Sequence, residues 1–148
     1  MPSFFAAFPP WLPWALLSAL FAALTAILAK LGVSAIDSNL ATFIRTLVVA
    51  AVLAGILAVN GGIGAARDIP PRAYGFLTLS GLATGASWLC YFHALKLGDA
   101  ARVAPIDKLS VVLVAVLGVT LLGETLSLRN WLGVALIAAG ALLVAMKG

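Results

Sequence analysis

Charge is scarce in this chain: only 9% of its 148 residues are Asp, Glu, Lys or Arg, where a soluble domain carries about 25%. Such a chain could not cover its own surface in water. It has one cysteine, Cys90, which excludes an intramolecular disulfide framework. Its one histidine, His93, lies three residues further on, and two groups cannot make a zinc site of ordinary coordination. The sequence also lacks a nucleophile-plus-base arrangement, a metal-ligand set and a phosphate-binding loop. An enzyme is therefore not expected, and neither is a cofactor. The nine basic residues give a net charge of +4, yet they are scattered singly, without the clustering of a nucleic-acid face. Contact with a lipid bilayer is the simpler reading of that charge.

What the chain has instead is apolar length. It is 64% hydrophobic, with a mean hydropathy of +1.16, divided into runs near the roughly 20 residues that cross a hydrocarbon core. These runs are too long for strands and too continuous for the alternation of a membrane barrel. The fold class expected is an all-α membrane protein, a five-transmembrane-helix bundle forming a single domain over 1–148. The helices are placed at about 13–33, 40–60, 73–95, 101–122 and 128–146, with too little sequence between them for a separate soluble domain. The first helix is expected to be retained, because Met1 to Trp14 lacks the positive n-region and cleavage pattern of a signal peptide. Pro13 fits the first turn of helix 1, and Asp37, Ser38 and Asn39 offer capping oxygens to helix 2. The stretch Gly61 to Arg72, with Asp68 and Pro70-Pro71, reads as a loop. Trp11, Trp14 and Trp131 suit the aromatic belts at the two membrane interfaces, whereas Trp88 sits deeper.

Five spans put the termini on opposite sides. Lys30, Arg45, Lys96, Arg102, Lys108 and Lys147 then lie towards the C-terminal face, and Arg67, Arg72 and Arg129 towards the other. The positive-inside tendency favours a cytoplasmic C-terminus, but only by a small margin once Arg45 and Lys108 are counted as buried. A nearly balanced chain can insert both ways. Two oppositely oriented copies would form a ten-helix assembly with the symmetry of an inverted-repeat transporter, so a homodimer is expected.

Charges inside a bilayer cost roughly 2.5–3.5 kcal/mol each on insertion scales, which makes their placement informative. Counted inward at about 1.5 Å per residue, Lys30, Arg45, Asp107 and Lys108 all fall within a few turns of one membrane face. Helix 3 reaches the same depth with Trp88 and Tyr91, and Ser80, Thr84, Ser87, Trp88 and Tyr91 recur at helical spacing. Arg45, Asp107, Lys108, Trp88, Tyr91, Thr84, Ser87 and Lys30 are the candidates for a polar cavity, with Asp107 paired to Arg45 or Lys108 and able to couple a proton or other ion. The excess of positive charge suits an anionic or zwitterionic small-molecule solute. The plainer alternative has Lys30 and Lys108 snorkelling to the headgroups and Arg45 stapled to Asp107 across helices 2 and 4. Glu124 is expected in a solvated turn at the far face, and His93 at the membrane boundary. Gly81 with Gly85, and Gly133 with Gly140, form small-residue seams suited to close helix packing.

The segments Lys30 to Val33, Ala41 to Thr46, Ser80 to Trp88, Pro105 to Ser110, and Gly123-Glu124 leading to Gly133 through Gly140 together resemble the EamA-domain proteins of the drug/metabolite transporter superfamily, in their short five-helix bacterial and archaeal branch. The resemblance implies one EamA unit, half of a common ten-helix member, and secondary transport by alternating access in a bacterial or archaeal cytoplasmic membrane. Small four-helix relatives rely on a glutamate in their first helix; this chain has none there, so no coupling residue carries over. An accessory subunit of a larger membrane enzyme or lipid-carrier flippase is the competing function.

Overall fold

A computed structural model of the chain describes residues 9–62, 64 and 69–146. Arg67 and Lys147, counted in the charge balance, and Asp68, counted in the Gly61 to Arg72 loop, lie outside the described residues, as does the segment 1–8. The described residues form α1 (Leu12–Val33), α2 (Ser38–Val59), α3 (Pro71–Leu97), α4 (Ala100–Asp107), α5 (Ser110–Leu121) and α6 (Leu128–Ala145), with no strand among them. Pro13 and Pro71 each sit in the first turn of their helix, where the missing N–H has no helical partner to lose. Asp37 caps α2, its Oδ1 accepting from the N–H groups of Asn39 at 2.9 Å and Leu40 at 3.2 Å. Ser127 does the same for α6 through the N–H of Asn130. Hydroxyls along the helices bond back one turn, Thr42 to the Ser38 carbonyl and Thr46 to that of Thr42, and so need no water.

Two features differ from the sequence expectation. Among the described residues, four segments are long and apolar enough to cross a membrane, Leu12–Val33, Ser38–Val59, Ala100–Leu121 and Leu128–Ala145. At 27 residues α3 is longer than any of them, but Tyr74, Thr78, Ser80, Thr84, Ser87, Tyr91 and His93 dilute its apolar content. It packs against α1, α2 and α4, and all of these polar residues but Tyr91 remain exposed. The second difference is that the expected helix 101–122 is broken at Lys108-Leu109. There the Lys108 N–H is shared between the Ala104 carbonyl at 3.3 Å and that of Pro105 at 3.1 Å, and the Leu109 N–H goes to the Ile106 carbonyl at 3.0 Å, so one turn tightens to three-residue bonds. The charged pair Asp107-Lys108 sits on this joint.

The buried core is small and lies at one end. Ala29 and Val33 of α1, Ala41 of α2, and Phe92 and Leu95 of α3 form it, with Val33 and Leu95 at 0% exposure. Alanines at 26 and 29 let α3 approach α1 closely. No residue of α2 beyond Thr42, and none of α3 before Phe92, is buried. Large apolar side chains such as Leu20, Leu53, Phe76 and Leu136 remain exposed along every long helix, as befits surfaces whose solvent is acyl chain.

Cations close the packed end. The Lys30 ammonium donates to the carbonyls of Leu95 at 2.6 Å and Gly98 at 2.8 Å. Lys96 donates to the Ile36 carbonyl at 3.0 Å, and Arg102 Nη2 to that of Ala145 at 2.7 Å. Each cation thus serves carbonyls at or just beyond the C-terminus of α3, α1 or α6, where helices leave unpaired acceptors and negative dipole ends. This corrects the snorkelling expected of Lys30: its ammonium is held by protein carbonyls rather than by headgroups. At the opposite end, Gly123 adopts a left-handed φ of 69° that turns Glu124 back over α5. A Cβ at Gly118 would lie 2.6 Å from Glu124 Oε2, a contact that the exposed Glu124 side chain can relieve by swinging away.

Replacement of Lys30 by Met should lower the stability of the purified protein by about 1–3 kcal/mol, because two helix-end carbonyls lose a charged donor. Lys96→Met, which removes a single exposed bond, should cost less; thermal unfolding at one scan rate compares them. The N–H groups of Leu40 and Asn39 hold the Asp37 carboxyl below its usual range. Its contribution to stability is therefore complete above the ordinary carboxylate pKa and is lost as pH falls through the lowered native value. Asp37→Asn keeps a neutral cap and should flatten the dependence of the unfolding midpoint on pH in that acidic window.

Candidate functional site

Four elements converge behind the small core. Arg45 lies about two turns into α2, roughly 10 Å from the packed face, and Asp107 is at a similar depth from the start of α4. On α3, Trp88 and Phe92 are one turn apart and present their rings on the same side. The Arg45 guanidinium lies over this wall, 4.1 Å from the Trp88 ring centroid and 5.6 Å from that of Phe92. A guanidinium over an indole is held by the negative face of the ring, and more strongly where water is excluded. Tyr91 meets Phe92 edge to face, with 6.5 Å between centroids.

Asp107 pairs with its neighbour Lys108, Oδ2 to Nζ at 3.1 Å. Of the two partners the sequence allowed for Asp107, the structure therefore selects Lys108. Arg45 is not stapled to Asp107; it is tied to Trp88 instead, and the α2 to α4 link expected from opposite charges is replaced by an α2 to α3 link made by a cation and a ring.

A cavity of about 200 Å³ opens among these groups. Its wall takes Ala22 and Thr25 from α1, Arg45 from α2, Ser87, Trp88 and Tyr91 from α3, Asp107 from the end of α4 and Lys108 from the joint after it. Six of the eight residues singled out from the sequence are thus brought together. Thr84 is outside the wall, its hydroxyl bonded to the Ser80 carbonyl, and Lys30 is engaged at the end of α3. Thr25 was missed, although a hydroxyl within the apolar run of α1 is a signal of the same kind as those used on α3. Two cations against one carboxylate leave the wall with one net positive charge. Cys90 and His93 are both exposed, and no group of three or more His, Cys, Asp or Glu side chains able to hold a metal exists among the described residues. The glycine seams make no close contact within the chain: a Cβ at Gly81, Gly85, Gly133 or Gly140 would meet nothing within 4 Å.

A bundle of apolar helices around a charged, aromatic-walled hollow is what a membrane carrier presents to its solute. The model of the EamA-like transporter family matches residues 9–146, which takes in all six helices. The chain belongs to the EamA-like transporter family. It is also similar to a Sinorhizobium sp. protein named "uncharacterized transporter in cobO 3'region", with 65% identity over 136 residues, spanning 92% of this chain and 96% of that one. No solved structure matches the chain. The EamA assignment makes this a multi-pass membrane protein of a transport family rather than an enzyme family.

Double replacement tests the tie between α2 and α3. Trp88→Leu and Arg45→Met should each destabilise the protein, and the double variant should lose less than their sum, by a coupling of about 0.5–1 kcal/mol for a partly buried cation over indole. Thermal unfolding of the four proteins gives that coupling directly.

Proposed function

We propose that the chain is one subunit of a secondary transporter that moves a small metabolite across the cytoplasmic membrane by alternating access, as an antiparallel homodimer. One observation carries the reading: Arg45, inside a span, has an aromatic platform and no carboxylate partner among the described residues. A half-buried cation without a counter-charge is costly in a bilayer, and a solute-lined or water-filled hollow is the usual refuge for one. In this reading α3 crosses as the fifth span. Its polar side chains then face the cavity and the dimer centre.

The dimer follows from what one copy leaves open. The cavity is walled by α1 to α4 alone, and the glycine seams on α3 and α6 are unfilled, which suits close approach by a second bundle. Arg45 and Lys108 line the cavity and so count little towards the rim. That narrows the excess of basic residues on the C-terminal face over the face bearing Arg72 and Arg129, so the charge bias that orients a chain is slight. Asp107 is the candidate for coupling to a proton or other ion, since it is the one carboxylate in the wall.

Purified protein in liposomes, assayed against a metabolite panel, should transport at least one solute. Arg45→Ala and Asp107→Asn should each reduce that flux by about tenfold or more, the loss of roughly 1.4 kcal/mol or more of transition-state or binding free energy. Equal flux from correctly inserted variants would reject the site. Tags on each terminus should be reached from both sides of the membrane, and a uniform orientation would exclude the antiparallel pair.

A further inference from the structure

Arg45 borders two hollows. On one side is the charged cavity; on the other is an apolar groove of about 350 Å³ between α1 and α2, walled by Leu28, Gly32, Ile36, Ile44 and Phe92 among others. Thr25 and Arg45 belong to both, so a molecule could occupy the two together with its polar end at the guanidinium. Trp88 covers one face of that group. The N–H donors of a guanidinium lie in its plane, so stacking leaves them free. Among the described residues no hydrogen bond or ion pair engages them. The nearby carboxylate of Asp107 is already matched with Lys108. In the groove itself, a Cβ at Gly32 would meet nothing within 4 Å.

We propose that this composite site binds an amphiphilic organic anion, its oxyanion head forked by the edge of Arg45 and its apolar body in the α1–α2 groove. The inference rests on the transport reading and names the class of solute. Two hydrogen bonds from one guanidinium recognise a carboxylate, sulfonate or phosphonate head in a single orientation. The groove then rewards each added methylene and offers nothing to a second charge. A free small solute is the occupant rather than a bilayer lipid, because hollows of this size match small-molecule sites and would hold only a fragment of a two-chain lipid.

Equilibrium binding to the full-length protein in nanodiscs of zwitterionic lipid tests this, with the straight-chain alkyl sulfonates from ethane- to hexanesulfonate as probes. These remain ionised at every working pH. Affinity should rise about fourfold per methylene, and alkylammonium ions of equal length should not bind. Arg45→Gln should weaken every sulfonate by at least about tenfold. Gly32→Leu, which fills the groove at a position with open space, should flatten the dependence on chain length. An unchanged chain-length dependence in Gly32→Leu, or equal binding of alkylammonium ions, overturns the proposal. So does loss of sulfonate binding to the parent when anionic lipid is added to the disc, since the occupant is then lipid. Binding needs no turnover: flux of some panel solute without sulfonate binding defeats this inference alone, and sulfonate binding without flux of anything defeats the transport reading alone.

Discussion

In hydrocarbon a backbone carbonyl or an ionised side chain has no solvent to bond, so each must find a partner within the protein or reach a wet surface. At the packed end of this bundle both needs are met at once. The last carbonyls of α3 and α6, and the turn after α1, take their donors from Lys30, Arg102 and Lys96. Every one of these bonds crosses from one element to another. They therefore fix the relative heights of the helices, and with them the level at which Arg45, Trp88 and Asp107 meet. The small core of Val33, Ala41, Phe92 and Leu95 fills the space that this arrangement leaves. Apolar burial alone would be a weak organiser, since lipid tails are as apolar as leucine.

Arg45 obeys the same constraint by another route. Its guanidinium is too far from the packed end to serve a helix terminus, and the one carboxylate at its depth is held by Lys108. The indole of Trp88 offers a partly screened place to lie that consumes none of the guanidinium's hydrogen bonds. A salt bridge would have neutralised the cation and closed the site. Stacking positions it and leaves both charge and donors available.

Much of this was legible in the sequence because insertion cost is local to the residue. Long apolar runs place the helices to within two residues at most boundaries, and the rarity of intramembrane charge singles out Arg45, Asp107 and Lys108. Partner choice was not legible. Asp107 and Arg45 have opposite charges and equal depth, but whether they touch depends on how α2 and α4 are rotated, and residue spacing does not fix that rotation. Lys30 was misread for a related reason. Its distance from the helix end is compatible with headgroups or with carbonyls, and the choice belongs to α3, which arrives 65 residues later in the chain. The polar content of α3 was visible as a stripe, and that same content keeps this helix out of the four segments apolar enough to cross a membrane by length and composition.

The break between α4 and α5 bears on how such a site could work. Arg45 rides on an unbroken helix against an aromatic wall, whereas Asp107 and Lys108 ride on a joint where three-residue bonds share in and then replace the regular ladder. Bending at that joint moves the carboxylate and ammonium relative to the guanidinium while costing few hydrogen bonds, because those that hold it are already irregular. The two halves of the span also end there, so the negative end of α4 meets the Lys108 ammonium, a favourable placement. In this chain the discontinuity and the only carboxylate of the cavity wall fall on adjacent residues, so any change in the angle between α4 and α5 is also a change in the electrostatic field at Arg45.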